Sequence, residues 1–476
     1  MIKLSTPNSA LSQVSFVAGG AIIAQILNVF ILPIVSRIYS PEDYGLVAVY
    51  SSVIAILSQL SGLCYHQAIP LPKQKRYADA LVFLSLIIQI VFVSLLSLLL
   101  FICGDLILDY ISMKSLVPYK YFIPLGLFFV GTYTVFSQWS VRKGLFFAIG
   151  KTKISQCLSG ALIKISLGFL GLKPIGLLLG SIVSQASGIS TLAFAAIKND
   201  GVPSFKIKDL KRVAYRYRRL PMFSSWYGLL NATSGSLPQI LLSTFFGFQS
   251  AGLYAMATSL LSLPANFIGQ AMGQVFLQRA SVAKYSGNIA VLSYKSYVLL
   301  LKIGFLPIAL ISLLGPQLFS FFLGERWGGA GLYAIALVPF IAYGFAYSPL
   351  SILYTVFDKQ KVSLVHEIIY TLGRISGLYI GYLYKNPVIS IMAYSIFCFF
   401  IQLYRMMYLL NIAGNSRLHV GYMTFKIILQ DILLLLFPFL CYVFEVNKYI
   451  YIYSIIFIVI IYLHRSYSLL SKEGIL

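Results

Sequence analysis

The feature that most constrains this chain is a succession of about fourteen apolar runs, each long enough to cross a bilayer, with Lys and Arg crowded into every second gap. A hydrocarbon core about 30 Å thick takes about 20 apolar residues per helix, and each spanning segment has to satisfy its own backbone polar groups there. The runs are continuously apolar rather than alternating, which argues against a transmembrane barrel. The expected fold class is therefore all-α, a polytopic membrane protein. Only 10% of the 476 residues are charged, against about 25% in an ordinary soluble domain. Almost nothing is left for a soluble catalytic domain, so the function has to be one that helices perform inside a membrane.

The spans are expected near 11–38, 44–70, 78–103, 117–138, 153–172, 174–197, 220–246, 250–280, 293–323, 329–356, 362–384, 387–411, 424–444 and 447–464. With the Lys and Arg at span ends counted in the adjoining gaps, the even-numbered gaps hold twenty-three, Arg405 assigned to the last, and the odd-numbered gaps hold seven. Cations collect on the cytoplasmic side, which puts the even gaps and both termini there. An error of one span would invert the parity downstream, and the contrast persists to the end. The net charge of +23 thus reports orientation and attraction to anionic lipid rather than nucleic acid. The five cysteines lie in or beside apolar runs without metal-ligand spacing, so they read as reduced and structural, and no metal site is expected. The first run is too long for a signal-peptide core and reads as a retained span.

The halves are related. Gly45-Leu46-Val47-Ala48 opens the second span and Gly252-Leu253-Tyr254-Ala255 opens the eighth, 207 residues later. Six spans separate them, and an even number preserves direction, so the repeat is parallel. Its pseudo-twofold axis runs along the membrane normal, and a binding site is expected between the halves near mid-depth. The domain reading is an N-terminal six-helix lobe over 1–197, a basic cytoplasmic linker over 198–219, a C-terminal six-helix lobe over 220–412, and two additional helices over 413–476. Within the linker, Ile207, Leu210, Ala214 and Tyr217 recur at helical spacing among Lys206, Lys208, Lys211, Arg212, Arg216, Arg218 and Arg219. That pattern predicts a helix lying in the plane of the cytoplasmic leaflet, setting topology or capturing an anionic headgroup.

No catalytic constellation is present: there is no HExxH, GxSxG, P-loop or nucleotide fingerprint, and no enzyme activity or cofactor is expected. Chemistry rests on ionisable groups inside spans, which are costly in lipid and usually face a cavity or a partner. Lys164 lies about 11 residues into the fifth span, about 16 Å deep. Arg374 lies at similar depth in the eleventh, and the 207-residue offset carries Lys164 to position 371, about one turn away. Two cations at matched depth would form a positive midplane site for an anionic group such as phosphate. Glu367 precedes Arg374 by seven residues and shares its helix face. It is a candidate for H⁺ or Na⁺ coupling, or a partner for Lys302 in the ninth span. Asp431 suggests a structural or lipid-groove role. Arg37, His66 and Arg279 sit near span ends, as anchors or ligands. Asn266, Gln270, Gln274 and Gln278 form one polar stripe on the eighth span, lining a cavity or bonding between helices. Pro33, Pro238 and Pro264 predict bends in the first, seventh and eighth spans.

Ser40-Pro41-Glu42-Asp43-Tyr44-Gly45 has the residues of a helix start: Ser at the N-cap, Pro at the first helical position and acids in the first turn. The stretch from Arg37 to Ala48 also resembles the first outer loop of the bacterial polysaccharide biosynthesis exporters, the Wzx-type O-antigen flippases. Ala251-Gly252-Leu253-Tyr254-Ala255 and the stretch from Pro264 to Arg279 support the resemblance. It implies the multidrug/oligosaccharidyl-lipid/polysaccharide exporter fold: two six-helix lobes around a V-shaped cavity, with two C-terminal helices beside a lipid groove. It further implies transfer of undecaprenyl-pyrophosphate-linked oligosaccharide from the cytoplasmic to the periplasmic leaflet of the inner membrane. Cavity cations would hold the pyrophosphate, with Lys164, Lys302 and Arg374 as candidates here. A polysaccharide polymerase and a chain-length regulator are the implied protein partners.

Three other readings stay open at this level. A cation-coupled multidrug exporter of the same superfamily calls for acidic cavity residues, and this chain has more bases than acids within its spans. A lipid-linked glycan polymerase or ligase calls for large outer loops, and these gaps are short. A flippase for peptidoglycan precursor shares the expected helices and cavity charges.

Overall fold

The computed structural model describes the chain apart from residues 1–6, 112, 201–204, most of 264–286, 445–447 and 473–476. Among the described residues the regular structure is entirely helical. It falls into two compact units, Met1–Gly252 and Leu253–Leu476. The first holds α1 (Pro7–Ile38), α2 (Pro41–Ser61), α3 (Lys75–Tyr110), α4 (Phe122–Arg142), α5 (Phe146–Phe169), α6 (Ile175–Asp200), α7 (Ile207–Arg216), α8 (Ser225–Phe246) and the first turn of α9 (Phe248–Leu261). The second continues from α9 to α10 (Ile289–Leu313), α11 (Gly315–Leu323), α12 (Gly328–Leu350), α13 (Gln360–Leu383), α14 (Pro387–Ile412), α15 (Arg417–Val443) and α16 (Lys448–Lys472).

Eight helical stretches among the described residues are long and apolar enough, by length and composition alone, to cross a membrane. They include Pro41–Ser61, Lys75–Tyr110, Ile289–Leu313 and Pro387–Ile412. The protein is a multi-pass membrane protein. The expected fourteen spans exceed this count. Among the helices below the threshold, α5 carries Lys151, Lys153 and Lys164, and α13 carries Lys361, Glu367 and Arg374.

The start of α2 forms as its residues dictate. Ser40 Oγ accepts from the Asp43 amide at 3.2 Å, and the Ser40 amide donates to Asp43 Oδ2 at 2.9 Å. Two amides that would otherwise lack partners are satisfied reciprocally, and Pro41 supplies a preset first-turn φ. Where α2 meets α9, the backbones touch. A Cβ on Gly45 would lie 1.7 Å from the Phe248 carbonyl oxygen, and one on Gly252 would lie 1.8 Å from that of Pro41. Pro41 pairs with Gly252 and Gly45 with Phe248; moving each first-half residue 207 positions along, Pro41 to Phe248 and Gly45 to Gly252, exchanges the two contacts. The contact is self-complementary in the manner of an isologous interface, which places a local pseudo-twofold between Gly45 and Gly252. Only glycine permits such an approach.

The repeat is visible in helix boundaries. Pro41 and Phe248 open α2 and α9, and Arg142 and Leu350 close α4 and α12, at offsets of 207 and 208. The register then shifts. Phe146 and Gln360 open α5 and α13, and Phe169 and Leu383 close them, an offset of 214 at both ends. The extra residues lie between Leu350 and Gln360, where a short helical turn, Leu353–Val356, has no counterpart in the tight α4–α5 connection. The constant 207-residue register expected from the glycine motif therefore does not reach Lys164 and Arg374. At the observed offset Lys164 corresponds to Leu378, and Arg374 to Gly160.

Several cations counted as loop charges hold helix ends together. Lys143 Nζ donates to the Ala196 carbonyl at 3.0 Å, above the Trp139 ring at 3.8 Å. Arg142 Nη1 donates to the Pro72 carbonyl at 2.5 Å. Cations near helix C-termini satisfy carbonyls that lack intrahelical partners. Helix α7 differs from expectation in what its apolar face meets. Val213 is buried and Leu210 and Tyr217 are partly buried in a cluster with Tyr65, Leu81, Val82 and Trp139. Tyr65 Oη donates to the Ala214 carbonyl at 3.1 Å. The face expected to sink into lipid is spent on the protein itself.

The glycine crossing sets a prediction. Gly45→Ala and Gly252→Ala each destabilise the purified protein, by at least the ~1–3 kcal/mol of an overpacked contact, and lower its melting temperature by similar amounts. Gly235→Ala, where an added Cβ meets nothing within 4 Å, leaves it unchanged. Unequal losses at the two crossing glycines would contradict a symmetric contact.

Candidate functional site

In the first unit the candidate residue is Lys164 on α5. Three neighbours shape its position. The Tyr39 hydroxyl donates to the Lys164 carbonyl at 2.7 Å, tying the end of α1 to this level of α5. Gly180 on α6 leaves room for the lysine stem, since a Cβ there would meet Lys164 Cγ at 2.4 Å. Cys157 lies within electrostatic reach of the ammonium, and its Sγ contacts Asn28 Oδ1 at 3.4 Å. Among the described residues no carboxylate stands within ion-pair distance of Lys164. Lys164 is thus a half-buried cation within reach of the Cys157 thiol, which itself contacts the Asn28 amide.

Its position along the helix departs from expectation. Helix α5 begins at Phe146, earlier than the composition suggested, so Lys164 lies about 27 Å along it at 1.5 Å per residue. Arg374 lies about 21 Å along α13, which begins at Gln360. The two cations are about one turn out of register rather than matched. Helical side chains lean toward the N-terminus, which carries the ammonium of Lys164 back toward the middle of α5, as its coupling to Cys157 indicates.

In the second unit a polar seam runs between α13 and α14. Glycines let the helices close: a Cβ on Gly377 would be 2.5 Å from Tyr394 Cα, and one on Gly381 would be 2.1 Å from Ser390 Cα. Further along the seam Arg374 lies over the Tyr370 ring at 4.2 Å and interacts with Tyr394 and Cys398. Gln402 Nε2 donates to the Tyr370 hydroxyl at 2.7 Å. Arg405 Nη1 pairs with Glu367 Oε2 at 3.1 Å. The Arg405 guanidinium also faces the rings of Tyr347 at 5.0 Å and Tyr370 at 5.4 Å. Tyr370 therefore stands between two guanidinium groups. Tyr354 Oη and His366 Nδ1, 2.6 Å apart, extend the network.

Arg405 was the residue that sequence reasoning missed. It was counted in a cytoplasmic gap, yet it lies inside α14 and is 6% exposed. A signal was present: Gln402 and Arg405 lie three apart, before the apolar run ends at Ile412. Glu367 is paired with Arg405 rather than with Lys302. Lys302 instead lies within electrostatic reach of Asp431, which pairs with Arg465 at 2.6 Å and ties α15 to α16. Arg37 is exposed in the last turn of α1. Asn266, Gln270, Gln274, Gln278 and Arg279 lie outside the described residues. His66, in the short turn Tyr65–Ala68 after α2, is lowered to about 4 by burial. It stays neutral at physiological pH and adds no charge.

A family profile described as "Polysaccharide biosynthesis protein" matches residues 34–331. The chain belongs to that family. Among solved structures it is similar to the lipid II flippase MurJ in an inward closed conformation, with a TM-score of 0.73 and 16% identity, covering 97% of this chain and 100% of that one. It also resembles an inward-facing multidrug resistance MATE family transporter of the MOP superfamily, with a TM-score of 0.57 and 17% identity over 84% of this chain and 100% of that one. A MOP superfamily transporter from Pyrococcus furiosus, described as having a binding pocket of reverse polarity, gives 0.58 and 14% over 87% and 98%. A sequence search among curated proteins gives no match. The fold is the one shared by the lipid II flippase MurJ and the MATE family transporters.

The buried pair sets a second prediction. Removing one partner strands the other charge, so Arg405→Leu alone costs about 3–5 kcal/mol of stability. Glu367→Gln together with Arg405→Leu costs less than Arg405→Leu alone. A double-mutant cycle on thermal unfolding in detergent reads the difference, and strict additivity would contradict a coupled pair.

Proposed function

We propose that this protein is a flippase for a lipid-linked, phosphate-bearing glycan. The substrate is an undecaprenyl-pyrophosphate-linked oligosaccharide repeat unit, destined for O-antigen or a related surface polysaccharide. It moves from the cytoplasmic to the periplasmic leaflet of the inner membrane, with both termini of the protein cytoplasmic. The observation that carries this reading is Lys164: a half-buried cation among Asn28, Cys157 and Gly180, with no carboxylate in ion-pair range among the described residues. A cation held in a spanning helix without a countercharge suits an anionic ligand. Family membership and the likeness to a lipid flippase support the same class of substrate.

In this mechanism the lipid tail stays in the bilayer while the headgroup crosses. Lys164, Arg374 and Lys302 offset the desolvation of the pyrophosphate, with Arg37, Arg279 and the amides Asn266, Gln270 and Gln274 as further contacts. The repeats then expose the site to each side in turn. Glu367 is the coupling candidate. Its countercharge is Arg405, so taking up a proton would release Arg405 from the pair. Membrane potential is the other source of drive. The MATE-like structures keep the drug-exporter reading in view. Attracting a cationic drug needs unpaired acid, and the acids Glu367 and Asp431 are both matched with arginine.

The test is transport of a lipid-linked glycan in proteoliposomes. Lys164→Gln lowers the initial rate at least tenfold while Lys164→Arg retains most of it, because removing one charged contact to an anion is worth about 1.5–3 kcal/mol. Unchanged transport by Lys164→Gln, with normal folding, would remove the residue from the site.

A further inference from the structure

Helix α7 presents two faces with separate fates. Asp209 and Val213 are buried, Leu210, Ala214 and Tyr217 are half-buried, and these residues dock the helix on the first unit. Lys208, Lys211, Arg212, Tyr215 and Arg216 are exposed. At 100° per residue, Lys208, Lys211, Arg212 and Tyr215 fall on the side opposite the docked face. Tyr215, 69% exposed, sits among the cations, and the Arg218 guanidinium lies 4.3 Å above its ring. Lys73, Lys75 and Arg76, at the start of neighbouring α3, are also exposed. Among the described side chains of this region, the acids Asp79 and Asp209 are buried.

A row of exposed cations attracts a polyanionic neighbour, and the flanking residues identify its setting. Ile207 is 72% exposed just before the row, and Met222, Phe223 and Trp226 stand outward just after it. Large apolar side chains beside clustered cations suit the headgroup level of a bilayer, where rings and aliphatic groups meet the acyl boundary and cations meet phosphate. An aqueous acidic protein would leave the apolar residues unsatisfied. A helix that sank its own apolar face into lipid would need no docking surface, and here that face is already occupied.

We infer that the outward face of α7 is a binding surface for the phosphate headgroups of anionic phospholipids in the adjacent leaflet. Lys208, Lys211, Arg212 and Arg216 make the contacts, and Tyr215 is the aromatic body between them. Because contact with anionic lipid is separate from substrate transfer, the inference does not rest on the flippase reading.

The experiment is native mass spectrometry of the full-length protein released from nanodiscs of phosphatidylcholine and phosphatidylglycerol. The variant Lys208→Gln/Lys211→Gln/Arg212→Gln/Arg216→Gln retains phosphatidylglycerol about tenfold or more below the unmodified chain, given about 1 kcal/mol for each basic residue near the surface. The charge-preserving set Lys208→Arg/Lys211→Arg/Arg212→Lys/Arg216→Lys retains it fully, which separates charge from misfolding. A matched control removing exposed Lys359, Lys361, Arg417 and Lys426 from the second unit retains it as well. Added salt weakens retention in every form that keeps the α7 cations and leaves the neutralised variant unchanged. Equal retention by the α7-neutralised variant, or an equal loss in the matched control, would overturn the inference. So would binding of farnesyl pyrophosphate that depends on α7 while phosphatidylglycerol does not, since the surface would then capture the pyrophosphate-bearing substrate instead.

Discussion

The contact on which the first unit depends is the backbone crossing of Pro41–Gly45 with Phe248–Gly252. Two carbonyl groups lie where side chains would otherwise stand, so the helices can approach only if both positions lack a Cβ. Within a membrane the drive for such contacts is close packing rather than exclusion of water. The crossing is symmetric under the repeat, because replacing each residue by its repeat equivalent turns the Pro41–Gly252 contact into the Gly45–Phe248 contact. A duplicated segment meeting its own copy produces a self-complementary contact without further adjustment. The capping box at Ser40 and the proline at the first helical position fix where α2 begins, and so fix the glycine on the crossing.

Away from the crossing the repeats diverge, and charge follows the divergence. Between α5 and α6 the first unit keeps a lysine whose described neighbours are neutral. Between α13 and α14 the second unit has two arginines, one glutamate and a run of tyrosines. A buried pair such as Glu367–Arg405 is costly to desolvate and gains little net stability over apolar packing. In this polar seam the pair also sets Arg405 beside the rings of Tyr347 and Tyr370. Asp431–Arg465 is different in kind: it joins the last two helices to each other, beside Lys302 on α10.

Much of this was legible in the residues, and the limits were physical. Hydropathy and charge alternation disclosed a helical membrane protein because lipid leaves the backbone few alternatives. The glycine motif disclosed the matched starts of α2 and α9, and the Ser40-Pro41 start disclosed its own cap, since both act over a few residues. Partner choice was not legible. Glu367 had Lys302, Arg374 and Arg405 within the same expected half, and only the packing of α13 on α14 selects Arg405. Likewise the short turn after Leu350 shifted the register by seven residues, which no motif announced. In α7 the helical period was correctly read, but periodicity identifies an apolar face without naming what covers it.

On the proposed reading, this chain carries a lipid-linked glycan across a membrane. The most direct measurement compares the source bacterium with a strain lacking the protein and asks on which face of the inner membrane single lipid-linked glycan units reside. Units trapped on the cytoplasmic face, with surface polymer lost, are the predicted result. Units displayed unpolymerised on the outer face, or surface glycan left unchanged, would contradict it.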